Sequence, residues 1–80
     1  MPTVFKREGY RFYFFSNEGD PREPVHIHAE SADGRAKLWL YPEVNVASSA
    51  GYSRKQLAEI VALVSVRRDE IEKAWNEYFG

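Results

Sequence analysis

Residues 3 to 47 alternate apolar and polar positions, or run briefly apolar, with Gly, Pro and Asp as punctuation. That is strand chemistry. Residues 53 to 79 repeat apolar positions at helical spacing and contain neither Gly nor Pro. The pattern predicts one α+β domain over residues 1–80, with a sheet half at 1–47 and one long C-terminal helix at 53–79. The sheet is expected to be small and mainly antiparallel, built from two hairpins with four to five strands, and packed against that helix.

The first hairpin is expected over residues 3–7 and 10–16, joined by Glu8-Gly9. A two-residue turn of this kind needs a residue that accepts positive φ, and Gly9 supplies one. In the second strand Tyr10, Phe12 and Phe14 share one face, and Arg11, Tyr13 and Phe15 the other. Rings on both faces predict a central strand covered on both sides. Residues 17–24 hold two prolines, a glycine and four charges, which predicts an irregular crossover. Long loops of this kind often carry function.

The second hairpin is expected over residues 25–30 and 35–41, with Asp33-Gly34 as its turn. That turn pairs Ala32 with Arg35, Glu30 with Lys37, His28 with Trp39, and His26 with Tyr41. Val25, Ile27, Ala29, Ala36, Leu38 and Leu40 then form the core face, and a one-residue slip would invert it. Pro42 ends the strand. Val44 and Val46 suggest a short edge strand, and Ser48 to Gly51 a loop.

Ser53 reads as a helix N-cap with Gln56 as its capping-box partner. Tyr52 is placed to staple onto Leu57. The stripe Leu57, Ile60, Val61, Val64, Ile71, Ala74, Trp75, Tyr78 keeps one face, although Arg67 and Arg68 interrupt it. Val25, Ile27, Leu38, Leu40, Phe12 and Phe14 are expected to meet Leu57, Ile60, Val61, Val64 and Ile71. A continuous helix of about 26 residues would be about 39 Å long, longer than the roughly 30 Å diameter of a domain this size. Either it breaks near residues 65–68 or its end projects onto a partner. With no breaker in the sequence, one helix, bent, and a homodimer are expected.

Composition narrows the function classes. There are no cysteines, so no disulfide framework or thiolate metal site is expected. Met1-Pro2-Thr3-Val4-Phe5 lacks the charged-then-apolar pattern of a signal peptide. No apolar run approaches the length of a membrane span. A cytoplasmic protein without membrane contact is expected. The net charge of −1 gives no global basic signature, which leaves room for a local cationic patch.

Such a patch is predicted where the chemistry collects. Both histidines stand in Pro24-Val25-His26-Ile27-His28, two apart, and so on one strand face. That face also holds Glu30, Arg35, Lys37, Trp39 and Tyr41. It can be read in four ways. Acid–base cleavage of RNA would use His26 and His28, with Lys37 or Arg35 stabilising charge. Nucleic-acid binding would use Arg11, Arg35, Lys37, Trp39 and Tyr41, with Tyr13 nearby. A metal would need His26, His28 and a loop carboxylate such as Asp20 or Glu23, because Glu30 stands about 13 Å from His26 along a strand; no metal or other cofactor is expected. Packing alone would stack His28 on Trp39 and His26 on Tyr41 beneath a helix or partner. Arg54 and Lys55 oppose the helix dipole, a hint of an anionic partner.

Met1-Pro2-Thr3-Val4-Phe5, Gly9 to Phe14, Ser16-Asn17-Glu18-Gly19-Asp20 and Glu23-Pro24-Val25-His26-Ile27-His28 together resemble the bacterial domain-of-unknown-function family 4160. Ala36-Lys37-Leu38-Trp39-Leu40, Gly51-Tyr52-Ser53 and Ala74-Trp75-Asn76-Glu77 follow the same pattern. The resemblance implies a small cytosolic bacterial protein, similar to components proposed for type II toxin–antitoxin modules. It also implies a cognate small protein of family 2442 encoded nearby as partner. It carries no catalytic residues over. The expected function is therefore a toxin–antitoxin component that acts through a protein partner, with RNA contact through the histidine face. The partner surface would be the exposed sheet face or the helix end near Trp75, Tyr78 and Phe79. The alternative is a metal-independent ribonuclease using His26 and His28 as acid and base.

Overall fold

Glu8 and Gly9 both adopt positive φ, 54° and 84°. That turn matches the right-handed twist of the strands it joins, and it closes β1 (Thr3–Arg7) onto β2 (Tyr10–Tyr13). The computed structural model describes residues 3–15 and 24–80. The reading of residues 17–23 as a crossover, and of Ser16 as a strand end, falls outside them. After Pro24 come β3 (His26–Ser31), β4 (Gly34–Trp39) and β5 (Asn45–Ala50). The five strands form one antiparallel sheet in the order β1-β2-β3-β4-β5.

The period-two expectation holds for the inner face. Phe12, Phe14, Ile27, Ala29, Ala36, Leu38 and Leu40 are buried there with Tyr10. Ile60, Val64, Ile71 and Trp75 from the C-terminal segment join the same cluster, with Leu57 and Val61 partly buried against it.

Three expectations are corrected. The C-terminal segment is two helices, α1 (Arg54–Val66) and α2 (Arg68–Phe79). Arg67 leaves helical geometry (φ −109°, ψ 16°), and its N–H still reaches the Val64 carbonyl at 3.1 Å. Its guanidinium lies over the ring of Phe5 at 4.4 Å and pairs with Glu70 at 3.3 Å. A straight helix would outrun the 34 Å long axis of the domain. The break brings both halves onto the sheet, and it removes the projecting end that suggested a second copy.

The sheet also continues past residue 47. Ser48, Ser49 and Ala50 pair with Lys37, Ala36 and Arg35 instead of forming a loop. Ala47 is the extra residue of a bulge opposite Lys37 and Leu38.

The register of the second hairpin is the third correction. Ser31 pairs with Gly34, Glu30 with Arg35, His28 with Lys37 and His26 with Trp39. The turn is Ala32-Asp33, two residues off the expected pairing. An even shift keeps the core face and changes every partner on the other. Gly34 has a different task from the expected one. A Cβ there would strike the Ala50 carbonyl and come within 3.0 Å of the Gly51 Cα. Gly34 lets two backbones touch. The tight pairing is held from the helix side. The Tyr52 hydroxyl donates to the Gly34 carbonyl at 2.8 Å and accepts from Ser31 Oγ at 2.9 Å.

The helix start follows expectation. Ser53 Oγ accepts from the Gln56 N–H, and Gln56 Oε1 accepts from the Ser53 N–H. Gln56 Nε2 then donates to Asp33 at 2.9 Å, tying the cap to the β3–β4 turn. No helix among the described residues is long and apolar enough to cross a membrane.

Candidate functional site

Strand pairing decides which outward side chains meet. Thr3 faces Tyr13, Tyr13 faces His28, His28 faces Lys37, and Lys37 faces Ser48. These residues make one row across all five strands, with neighbours about 5 Å apart. The row is a product of the corrected register. The expected pairing placed Trp39 opposite His28; the observed one places a cation there.

A cavity of about 400 Å³ opens along this row. Tyr13, Phe15, His28, Arg35, Lys37, Ser48 and Ser49 contribute to its lining. The His28 ring stacks on Tyr13 at 5.5 Å and meets Phe15 edge-on at 4.4 Å. The Lys37 ammonium lies 4.4 Å over the Trp39 ring, so Trp39 borders the site by way of Lys37.

The next row is Arg11, Glu30, Arg35 and Ala50. Glu30, the carboxylate that opposes an anion-binding reading, is held by Arg11 at 3.0 Å. The Arg11 guanidinium also lies 4.1 Å over the Tyr13 ring. Lys6 stands beside Arg11 on the same face. Among the described residues, the outward strand positions thus carry Lys6, Arg11, Arg35 and Lys37 with the carboxylate of Glu30. These cations stand together on a chain whose net charge is −1.

His26 is in a different situation. It is the first residue of β3, where the strand ends, and it is 0% exposed. Its ring lies against Trp39 at 5.4 Å, Trp75 at 5.0 Å and His28 at 5.3 Å. Nδ1 stands 2.9 Å from the Pro24 carbonyl. A carbonyl only accepts, so Nδ1 carries the proton. The two imidazoles are therefore neighbours, as expected, but only His28 lines the cavity.

Tyr41 is placed apart from the row. Its hydroxyl donates to Glu72 at 2.8 Å and Arg68 lies over its ring at 5.0 Å. The bond to Glu72, then partial desolvation, holds its phenol above the ordinary pKa of 10.0. Burial, and the charge of Glu59, does the same for Tyr10 on the inner face. At the helix end, Trp75 and Phe79 pack on each other at 4.3 Å and on Phe14, which leaves Tyr78 as the exposed ring.

The cavity therefore unites His28, Lys37 and Arg35 from the expected set, with Arg11 and Trp39 at its border. Sequence reasoning missed Phe15, Ser48 and Ser49. The alternation Tyr13, Phe15 carries the signal for the first. The serines have the sequence character of a loop, and only their pairing with β4 brings them in. Among the described residues, no three His, Cys, Asp or Glu side chains stand together as a metal site.

Comparison with curated proteins and with solved structures yields no match to this chain. The pattern of the family described as domain of unknown function (DUF4160) matches residues 9–76, a span that contains Tyr13, His28, Lys37 and Ser48, and the chain belongs to that family.

Proposed function

We propose that this domain is an RNA-binding component of a toxin–antitoxin-type pair, and that it contacts single-stranded RNA through the outer face of its sheet. One observation carries the reading. Lys37 and Arg35, an imidazole, two aromatic rings and two serine hydroxyls line a single open cavity. Cations hold phosphates, and rings and imidazoles give bases a surface to stack on. The pairing of Glu30 with Arg11 lowers the repulsion that a free carboxylate would add. The pair itself, with a cognate small protein as partner, rests on the family resemblance.

Fluorescence anisotropy with a labelled RNA oligonucleotide tests the proposal. Single strands are expected to bind and a duplex of the same sequence to bind less. Two phosphate contacts predict a log–log salt slope of about −1.4. Lys37→Gln should weaken binding and flatten the slope. Binding without salt dependence, or unchanged in Lys37→Gln, would refute it. If the cognate protein is the partner, co-purification with it should raise the melting temperature.

A ribonuclease using His26 and His28 has the 5.3 Å approach of the two rings in its favour. His26 is enclosed, however, so a substrate at the cavity meets one imidazole. Binding without cleavage is the reading we retain. A bell-shaped pH–rate profile for RNA cleavage, lost in both His26→Ala and His28→Ala, would reverse that choice.

A further inference from the structure

We infer that β5 is an open edge that pairs antiparallel with β5 of a second copy of this chain, joining two five-stranded sheets into one. The inference is independent of RNA binding.

The two edges of the sheet differ. β5 is the last strand in the order β1-β2-β3-β4-β5, and among the described residues nothing pairs with its outer side. An edge strand presents a row of N–H and C=O groups that can template another strand, and proteins guard such edges with charges or proline. β1 has a guard: Lys6 and Arg7 stand side by side on it, both exposed. Two copies of β1 would bring like charges together. β5 reads Asn45-Val46-Ala47-Ser48-Ser49-Ala50, without charge or proline, and all but Val46 are exposed.

The bulge at Ala47 gives β5 a symmetric order of faces. Asn45, Ser48 and Ala50 lie in the rows of Trp39, Lys37 and Arg35 and point outward. Val46 and Ser49 lie in the rows of Leu38 and Ala36 and point inward. A two-fold pairing that sets Asn45 against the partner's Ala50, and Val46 against the partner's Ser49, joins outward to outward and inward to inward. It engages the whole strand. Val46, half-buried against the core in one chain, gains cover.

Charge at the two ends of β5 selects a second copy as the occupant. Glu43 is exposed just before the strand. Arg54 and Lys55 are exposed just after it, at the start of α1, which contacts β5. None of the three belongs to an ion pair among the described residues. In the two-fold register Glu43 falls opposite the partner's Tyr52, two residues from the partner's Arg54. A carboxylate and two cations therefore meet at both ends of the interface. The same pairing answers the placing of Arg54 and Lys55 against their own helix dipole, since an opposite charge arrives beside them. A contact one strand long, about 20 Å, is narrow beside the roughly 1,200–2,000 Å² of stable complexes, so the dimer should exchange with monomer.

The experiment is sedimentation equilibrium of the full chain, freed of nucleic acid, between about 10 µM and 1 mM. The mass should rise from that of one chain toward that of two, and amides within residues 45–50 should exchange more slowly at the high end. Glu43→Arg, and separately Arg54→Glu combined with Lys55→Glu, should each weaken association at least about ten-fold. All three positions are exposed, so the fold should hold. Mixed in equal amounts, the two variants should associate as the unaltered chain does, because reversed charges meet at one end of the interface and native charges at the other.

A single chain at every concentration overturns the inference and leaves the edge to an extended segment of another protein. A dimer indifferent to both reversals overturns it too, since the contact then lies on another face. So does a mixture of the two variants that fails to associate.

Discussion

The two ends of the outer sheet face carry the same kinds of residue and do different things with them. At one end Trp39 and Trp75 both close on His26, which is fully buried. Two residues along β3, His28 sits between Tyr13 and Lys37 at the mouth of a cavity. Period two puts both imidazoles on one face, and both are there. What separates them is the third dimension: α2 delivers Trp75 to the end of β3 and to nothing further along. A strand face is thus a list of candidates, and the element packed at its end decides which remain reachable.

The largest test removes the closure. Trp75→Ala should cost about 3–5 kcal/mol, because the ring also packs on Phe14 and Phe79. Thermal or denaturant unfolding would show it; a loss below about 1 kcal/mol would mean the closed end is not closed.

The histidines sharpen the contrast directly. His26→Ala empties a buried site and should destabilise by about 2–4 kcal/mol. His28→Ala should stay within about 1 kcal/mol and reduce ligand binding instead. Equal stability losses would erase the distinction between the two ends.

Arg11→Gln probes the open end from its border. It removes the 3.0 Å partner of Glu30 and leaves that carboxylate, one row from the cavity, with Arg35 across the strand as its neighbouring cation. The expected result is near-unchanged stability, within about 1 kcal/mol for a half-buried pair, with RNA affinity reduced several-fold at low salt and less at high salt.

The smallest effect concerns pH. The Tyr41 and Tyr10 phenols are both held above 10.0 in the fold. A raised folded-state value means that their stabilising contribution is complete below pH 10 and is lost as pH rises through the folded value. Absorbance titration at alkaline pH should show both ionising late. Tyr41→Phe should remove one of the two late steps and leave the inner-face one.

Much of this was readable from the chain, and the unreadable parts share a cause. Glu8-Gly9 and Ser53 with Gln56 act through neighbours a few residues away, so their roles are visible in a short window. The break at Arg67 has no glycine or proline to announce it; it is held by Phe5, more than sixty residues earlier. Asp33-Gly34 looks like a turn because that pair usually is one. Gly51 claims Gly34 from seventeen positions downstream, and the turn moves back by one residue. Ser48, Ser49 and Ala50 have little strand preference of their own and become a strand because β4 offers an edge. For the site the consequence was specific. The face and its residues were legible, but the partner of His28 was not, since that depends on the register.

The bonds of Gln56 have a consequence for how the molecule opens. One amide side chain serves both the α1 cap and Asp33 in the β3–β4 turn, while Tyr52 grips Gly34 and Ser31. A turn and a helix start that are distant in sequence are stitched at three points. Neither can fray without breaking bonds held by the other, so they should form one cooperative unit in hydrogen exchange. The amides of Asp33, Gln56 and Leu57 should then exchange with a common opening free energy, and Gln56→Ala should loosen the hairpin tip as much as the helix.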